Sequence, residues 1–381
     1  MANQINKTDV LKTSLILLVL ISSIIFLYSP HFKTKLGGYD VMELYREAQN
    51  RNTFKKIIDY KYFSQGGGPT SAYFNPVILL VWRQMATNYD KNHFFYHLLC
   101  TLIHIINTMI VFFLLKAFIK NNLFSFLATL SFTIYYLNFL TVGWIASGIN
   151  QGLTIFLVLS ALLSVIKYFQ TKNTFFYFLS LLSFFLGTFT KEIAIFTIPI
   201  LLAYYIIIQR EKIFKFIKPD LILLPYLILS LPIILITFAR MNGSAVITSF
   251  GGINFGAHML YRFLDYVNYM ITIIPASHIA KITLAMFILF LLPFLIYYGL
   301  RDKKLLFLTI WLALSIAIFI FSNFRDIYDL GRYLYLPSIA WFAMLYYIAS
   351  NIKNLKTKII SSFFLINYTI VLNLFLILTR K

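Results

Sequence analysis

Apolar runs of about twenty residues recur along this chain from end to end, and they constrain its fold more than any other feature. A run of this length spans the hydrocarbon core of a bilayer as a helix, because inside lipid every backbone polar group must be paired within its own segment. The chain is 60% hydrophobic and only 12% charged. We therefore predict an all-α integral membrane protein that crosses the membrane many times.

The apolar runs predict about 11 transmembrane helices. The first run is not followed by an Ala-x-Ala cleavage site, so we expect it to be kept as a span and not removed as a signal peptide. The predicted spans cover approximately residues 11–29, 94–118, 123–142, 152–166, 174–189, 193–208, 221–238, 282–300, 305–321 and 338–349, and the last precedes Arg380.

Basic residues set the predicted orientation. Lys7 and Lys12 precede the first span, and every second loop after it is basic, which by the positive-inside rule places these loops and the amino terminus in the cytoplasm. The basic residues that give the net charge of +20 then orient the helices in the membrane and attract anionic lipid headgroups. Membrane lipid is an expected partner, and nucleic acid is not.

Two outer segments, residues 31–93 and 239–281, are too long to be simple hairpins. Helical spacing is predicted over residues 41–50, 76–85 and 258–274, and the second of these stretches ends in Trp82 and Arg83, which is typical of an interfacial helix. We predict interfacial helices in the first and fourth outer loops. Most of the thirteen acids also fall on this side, which indicates chemistry at the outer face. They are Asp40, Glu43, Glu47, Asp59, Asp90, Glu192, Asp265, Asp326 and Asp329.

Three charge clusters lie at the outer ends of predicted spans. They are Asp40 with Glu43, Lys191 with Glu192, and the segment 325–337 that contains Arg332. A charge near the membrane is costly unless it is paired or lines a wet cavity, so three clusters on one side favour a cleft.

Several other kinds of site are disfavoured. Gly66-Gly67-Gly68-Pro69 lacks the Lys-Ser/Thr of a nucleotide-binding loop, which argues against a nucleotide-sugar donor. Cys100 is the only cysteine, so no disulfide can form within the chain, and we expect it to fill space in a helix. His97 and His104 lie seven apart with no third ligand at helical spacing, and we expect interhelical hydrogen bonds from them. No cofactor is predicted, although a divalent metal stays open.

Four short motifs follow one another along the chain: Tyr73-Phe74-Asn75-Pro76, Tyr96-His97-Leu98-Leu99 with Ile103-His104, Thr190-Lys191-Glu192, and Gly331-Arg332-Tyr333-Leu334-Tyr335-Leu336-Pro337. In order and position they resemble the GT-C glycosyltransferases that use a polyprenyl-phosphate sugar, and they are most similar to the membrane domain of TMTC-like protein O-mannosyltransferases. The resemblance covers residues 12–340. It implies a GT-C-like catalytic domain over residues 1–350, followed by a basic cytoplasmic loop and a final span in residues 351–381.

The resemblance implies an inverting glycosyltransferase with an extracytoplasmic active site. In it a carboxylate of the first outer loop would activate the acceptor, and Asp40 is the residue that matches, with Glu43 as the alternative base. From the chemistry of the residues we expect Arg332 and Lys191 to hold the phosphate, with Arg262 and Arg240 in reserve. Glu192 and Tyr333 complete the expected substrate-binding set. The implied partners are a polyprenyl-phosphate sugar and an acceptor that is a protein or a lipid-linked glycan, in what we expect to be a prokaryotic plasma membrane.

The chemistry of the residues fits independently. A sugar on polyprenyl phosphate carries a stable anionic leaving group, so its transfer needs a carboxylate to take a proton and cations to hold the phosphate. The guanidinium fork of Arg332 suits phosphate best, although an ion pair with Asp326 or Asp329 would give this arginine a structural role instead. A transporter or flippase of lipid-linked sugars and a scaffold without catalysis are the alternative functions.

Overall fold

The computed structural model describes residues 7–50, 54–58, 74–209, 219–241, 258–271, 297–298, 300–320 and 332–379. Within these ranges every regular element is a helix and there is no β-strand, as the apolar runs predicted. Short 3₁₀ helices cover Ser29–Lys33 and Glu192–Phe196, and a π-helical turn covers Tyr205–Gln209. The α-helices are α1 (Lys7–Tyr28), α2 (Tyr39–Asn50), α3 (Phe54–Ile58), α4 (Pro76–Tyr89), α5 (His93–Ile119), α6 (Asn122–Ile134), α7 (Tyr136–Gly143), α8 (Ile145–Thr171), α9 (Thr174–Thr188), α10 (Thr197–Tyr204), α11 (Pro219–Met241), α12 (His258–Ile271), α13 (Lys303–Ile320), α14 (Tyr335–Ser350) and α15 (Leu355–Thr379).

Several helices are long and apolar enough to cross a membrane. Among the described residues, three candidate spans are Asp9–Lys33, His93–Ile119 and Ile145–Thr171. A fourth is the pair α6 and α7, if the two are counted as one span despite a bend of 51° between them. The apolar helices Thr174–Thr188, Ile193–Gln209 and Ile222–Ile236 are shorter. The predicted span at residues 282–300 lies almost entirely outside the described ranges.

Two helix junctions use the same lysine–asparagine pair. Lys120 and Lys172 end α5 and α8 in the left-handed conformation, with φ of 57° and 59°. In each case the next residue is an asparagine, Asn121 or Asn173, whose side chain accepts from the first backbone N–H groups of the following helix. The left-handed residue reverses the chain and the amide caps the new helix, so the reversal needs only two residues.

Helix α8 is central to the bundle and packs against both α5 and α9. Two glycines of α8 face α5: a Cβ at Gly148 would lie 2.6 Å from Cys100 Sγ, and a Cβ at Gly152 would lie 2.9 Å from Ile103 Cγ2. Small residues at such positions let helix backbones approach closely. Cys100 is buried in this contact and fills space there, as expected.

The helices of the outer segments form close to their predicted positions, at α2, α4 and α12. Trp82, near the end of the predicted stretch 76–85, is fully buried, and its Nε1 donates to Asn150 Oδ1 at 2.9 Å, so it joins α4 to α8. The fourth predicted span, residues 152–166, begins earlier than expected, because α8 starts at Ile145.

Candidate functional site

The site is built on the first two turns of α8. The chain bends at Tyr135, continues through α7, and turns at Trp144 into α8. Ser147 and Gln151 lie four residues apart, so they share one face of the helix. Only 4% of Ser147 and 1% of Gln151 is exposed. Two polar side chains are therefore enclosed at the amino-terminal end of a long apolar helix.

Two cations and two aromatic rings gather beside these turns. Lys191 Nζ donates to Gln151 Oε1 at 3.2 Å and lies 5.3 Å from the centre of the Tyr333 ring. The Arg332 Cζ lies 4.9 Å from the same ring and 5.2 Å from the Trp144 ring. We call these five residues, Trp144, Gln151, Lys191, Arg332 and Tyr333, the cation cluster. Cation–π contacts on a shared ring hold the two positive side chains close together.

Local backbone structure places both cations. Lys191 follows α9, where its N–H donates to the Gly187 carbonyl at 3.1 Å, and the Thr190 hydroxyl donates to the same carbonyl at 2.6 Å. Arg332 and Tyr333 directly precede α14, whose first residues are buried in the bundle. The two cations therefore come from distant parts of the chain and are fixed by the ends of separate helices.

The cation cluster has hydrogen-bonding capacity to spare. Gln151 Nε2 and Ser147 Oγ are buried and have no hydrogen-bond partner among the described residues. Buried polar atoms are nearly always paired in native proteins, so the unpaired amide donor next to Lys191 and the hydroxyl one turn before it are free to donate to a ligand. Sequence reasoning missed Gln151, Ser147 and Trp144. The one signal for them was a run of small and amide residues within an otherwise apolar stretch.

Helix α2 carries both candidate bases. Asp40 lies in its first turn and is half-buried, and Glu43 follows one turn later with a buried Oε2 that has no hydrogen-bond partner in the described part of the chain. Helix α2 packs against α4 and also contacts α8, the helix of the cation cluster. Across the described ranges, however, no hydrogen bond or ion pair links Asp40 or Glu43 to that cluster.

A clamp fixes the middle of α2. The Tyr45 hydroxyl donates a short hydrogen bond to Asp90 Oδ1 and accepts one from Gln49 Nε2 at 2.7 Å. Burial and the Asp90 carboxylate raise the pKa of Tyr45 to about 12, while the bond from Tyr45 holds the pKa of Asp90 below its ordinary value. Asp90 ends α4 with a φ of 45°, so the clamp ties α2 to the turn between α4 and α5.

The remaining predicted site residues are not brought to the cation cluster by any described contact. Arg262 lies half-buried on α12. Glu192 begins the 3₁₀ helix after Lys191, and Arg240 lies near the end of α11, but the structure describes only their backbone. Asp326 and Asp329, the predicted alternative partners of Arg332, lie outside the described residues.

A second group of polar side chains is enclosed within the bundle. His104 Nδ1 shares a hydrogen bond of 2.6 Å with the Tyr335 hydroxyl, so it joins α5 to α14 as expected. His97 Nε2 lies 3.1 Å from the Thr34 carbonyl, and its ring stacks on His31 with 5.9 Å between centroids. The His31 ring is packed so closely on Gly143 that a Cβ there would lie 2.7 Å from it.

No set of three or more His, Cys, Asp or Glu side chains in the described ranges is arranged to hold a metal ion. Comparisons of the chain with protein-family models and with curated proteins found no match.

Proposed function

We propose that the chain is an inverting glycosyltransferase that moves a monosaccharide from a polyprenyl-phosphate carrier to an acceptor hydroxyl at the extracytoplasmic face. The observation that carries this proposal is the cation cluster, in which Lys191 and Arg332 lie 5.3 and 4.9 Å from one Tyr333 ring. Two cations held on one ring can contact the same anion, and the guanidinium of Arg332 offers the fork geometry that suits a phosphate. The phosphate of the donor is such an anion.

In the proposed reaction the acceptor oxygen attacks the anomeric carbon while the bond from that carbon to the phosphate oxygen breaks. The hydroxyl proton passes to the carboxylate of Asp40 or Glu43, and the bonding electron pair leaves with polyprenyl phosphate. Lys191 and Arg332 stabilise the charge that grows on the phosphate, because fixed cations need no reorganisation during the step. Gln151 Nε2 and Ser147 Oγ are further donors to this anion.

The unpaired Glu43 Oε2 supports a role for α2 in proton transfer. Leaving a buried carboxylate oxygen without a hydrogen bond is costly, and an acceptor hydroxyl would satisfy it. Asp40 stays the residue that the resemblance favours. Asp40 and Glu43 lie within one turn of the same helix, so each is a candidate base that can be tested by substitution.

The wider arrangement belongs to the same proposal. We propose a GT-C-like bundle of about 11 spans with a cytoplasmic amino terminus, in a prokaryotic plasma membrane. Helices α2, α4 and α12 lie at the outer interface in this arrangement, and Arg262, Arg240 and Glu192 are reserve contacts to the donor.

The test uses purified protein in lipid and a panel of labelled polyprenyl-phosphate sugars. Release of polyprenyl phosphate is followed for the wild type, Asp40→Asn, Glu43→Gln and Arg332→Ala. We expect the variant that removes the base to lose about 10²-fold or more in rate while it still binds donor, and Arg332→Ala to lose donor affinity. Arg301→Ala is the matched control, because Arg301 also stacks on a tyrosine ring, at 4.3 Å from Tyr297.

Turnover of no donor, or wild-type rates for both carboxylate variants, would remove the catalytic assignment. The rival function, a transporter of lipid-linked sugars, is favoured by one observation: His97 and His104 are buried polar groups inside a candidate span. Flux of labelled donor across proteoliposomes without release of polyprenyl phosphate would select it.

A further inference from the structure

An apolar groove of about 440 Å³ lies along one side of the hairpin that α14 and α15 form. Its walls come from the end of α14, with Ile348, and from the first turns of α15, with Ile360 and Phe364. Ser361 also lines it, but its hydroxyl donates to the Lys358 carbonyl at 3.0 Å. The groove therefore offers almost no polar contact to an occupant.

The groove opens sideways, away from the bundle. Ile360 and Phe364 are 54% and 68% exposed, so the apolar wall faces the surroundings of the helices. Between Thr357 and Leu365 the groove runs for about 12 Å at a rise of 1.5 Å per residue. In a membrane protein this shape suits one extended hydrocarbon chain.

Two exposed cations stand at one end of the groove. Lys353 and Lys356 lie in and just after the turn between the two helices, and both are exposed. Neither ammonium group has a hydrogen bond or ion pair within the described ranges. Lys358 is engaged differently, because its Nζ donates to the Ser350 carbonyl at 2.6 Å and so fastens α15 to α14. The nearby acid Asp302 accepts from the Tyr347 hydroxyl at 2.7 Å.

We propose that this groove binds an anionic phospholipid, with one acyl chain along α15 and the phosphate at Lys353 and Lys356. The occupant must be apolar along its length and negative at one end, which matches this lipid, and basic residues next to a span attract anionic headgroups. Polyprenyl phosphate has a similar head and chain. In the predicted orientation, however, this turn is cytoplasmic, whereas the proposed transfer takes place at the opposite face.

The test is lipid binding to the delipidated full chain in detergent, measured by native mass spectrometry. The probes are phosphatidylglycerol and phosphatidylcholine with identical acyl chains. We expect phosphatidylglycerol to bind more tightly, and the pair K353A/K356A to lose about thirtyfold of that affinity, or roughly fivefold per lysine. The control pair K116A/K167A removes two lysines from other helices and should leave binding unchanged.

A groove-filling variant, Ser361→Trp, should weaken both lipids. Because Lys353 and Lys356 lie on the surface, we expect K353A/K356A to fold, and an unchanged melting temperature would verify this. The test therefore stands even if Ser361→Trp fails to fold. Equal affinity for the two lipids, or wild-type affinity of K353A/K356A, would overturn the proposal. Displacement of phosphatidylglycerol by a lower concentration of polyprenyl phosphate would overturn it as well, and would assign the groove to the carrier.

Discussion

Tyr333 is the residue on which the two predicted phosphate-binding cations meet. Its ring lies 5.3 Å from Lys191 Nζ and 4.9 Å from Arg332 Cζ, so one side chain positions both. Gln151 completes the arrangement from α8, with its oxygen bound to Lys191 and its Nε2 unpaired within the described residues. A neutral amide fits this position because it orients the lysine without cancelling its charge.

This role of Gln151 gives a prediction at the scale of one side chain. Gln151→Leu removes a hydrogen bond to a charged group and the spare amide donor, and we expect donor affinity to fall by about tenfold or more. Gln151→Glu should weaken the donor further, because a carboxylate would pair with Lys191 and repel the phosphate. Both are measured by competition against labelled donor.

Gln49 is the matched control for Gln151, since it is an amide on α2 that bonds to Tyr45 and not to a cation. Gln49→Leu and Gln49→Glu should leave donor affinity within about twofold of the wild type. Equal losses at the two positions would mean that Gln151 acts through general stability and does not contact the donor.

At the scale of elements, the Tyr45–Asp90 clamp holds α2, the helix with both candidate bases, against the turn between α4 and α5. The pKa of Asp90 is lowered in the folded chain, so its contribution to stability is present above the unfolded pKa of about 3.9 and is lost as pH falls below it. The pKa of Tyr45 is raised to about 12, so its contribution is present below pH 10 and is lost as pH rises toward 12.

The clamp predicts a pH-dependent difference between the wild type and Tyr45→Phe. At neutral pH we expect Tyr45→Phe to melt about 1–3 °C lower, and the difference should disappear as Asp90 becomes protonated in acid. Tyr39→Phe serves as the control because Tyr39 is 69% exposed and lies outside the clamp. Thermal unfolding in detergent at several pH values measures this, and a difference that is constant with pH would contradict it.

Most of the elements could be predicted from sequence, whereas several of their contacts could not. Apolar length predicts α1, α5 and α8, and spacing predicts α2 and α4 to within a few residues, because both signals are local. The bend between α6 and α7 lies at Tyr135, whose hydroxyl donates to the carbonyls of Tyr269 and Met270, and contacts so distant in sequence are not visible in a local pattern. The same holds for Trp82, whose partner Asn150 is 68 residues away along the chain.

The candidate site divides in the same way. Charges are rare in such a chain, so Lys191 and Arg332 could be selected from sequence, and Tyr333 came with Arg332. Gln151 and Ser147 carry no charge, and their importance depends on a lysine that folding brings beside them. A neutral donor of this kind can be identified only from the folded structure, which shows that it is buried without a hydrogen-bond partner.

For the whole molecule, the loop charges predict which ends of the helices face the cytoplasm. Cys100 is the only cysteine and is buried, so we expect no labelling of the wild type. Cysteines introduced at exposed positions can then show which side of the membrane each position faces. We expect a membrane-impermeant maleimide to label Lys35→Cys in intact cells, and to label Lys167→Cys only after the membrane is opened. Both lysines are exposed in the fold.

The wild type, with Cys100 alone, should remain unlabelled under both conditions. The opposite pattern of labelling would invert the orientation, and labelling of both variants in intact cells would contradict a membrane-spanning arrangement of α8.

Tyr333 and Lys191 also bear on when the site comes into existence. The ribosome makes Gln151 and Lys191 long before Arg332 and Tyr333, and His104 on α5 likewise waits for Tyr335 on α14. Until α14 has inserted and docked, Lys191 has no ring beneath it and no second cation beside it. If the proposed function holds, a nascent chain cannot bind the charged lipid at this position, and the ability to bind it arises late in biogenesis, once the bundle is complete.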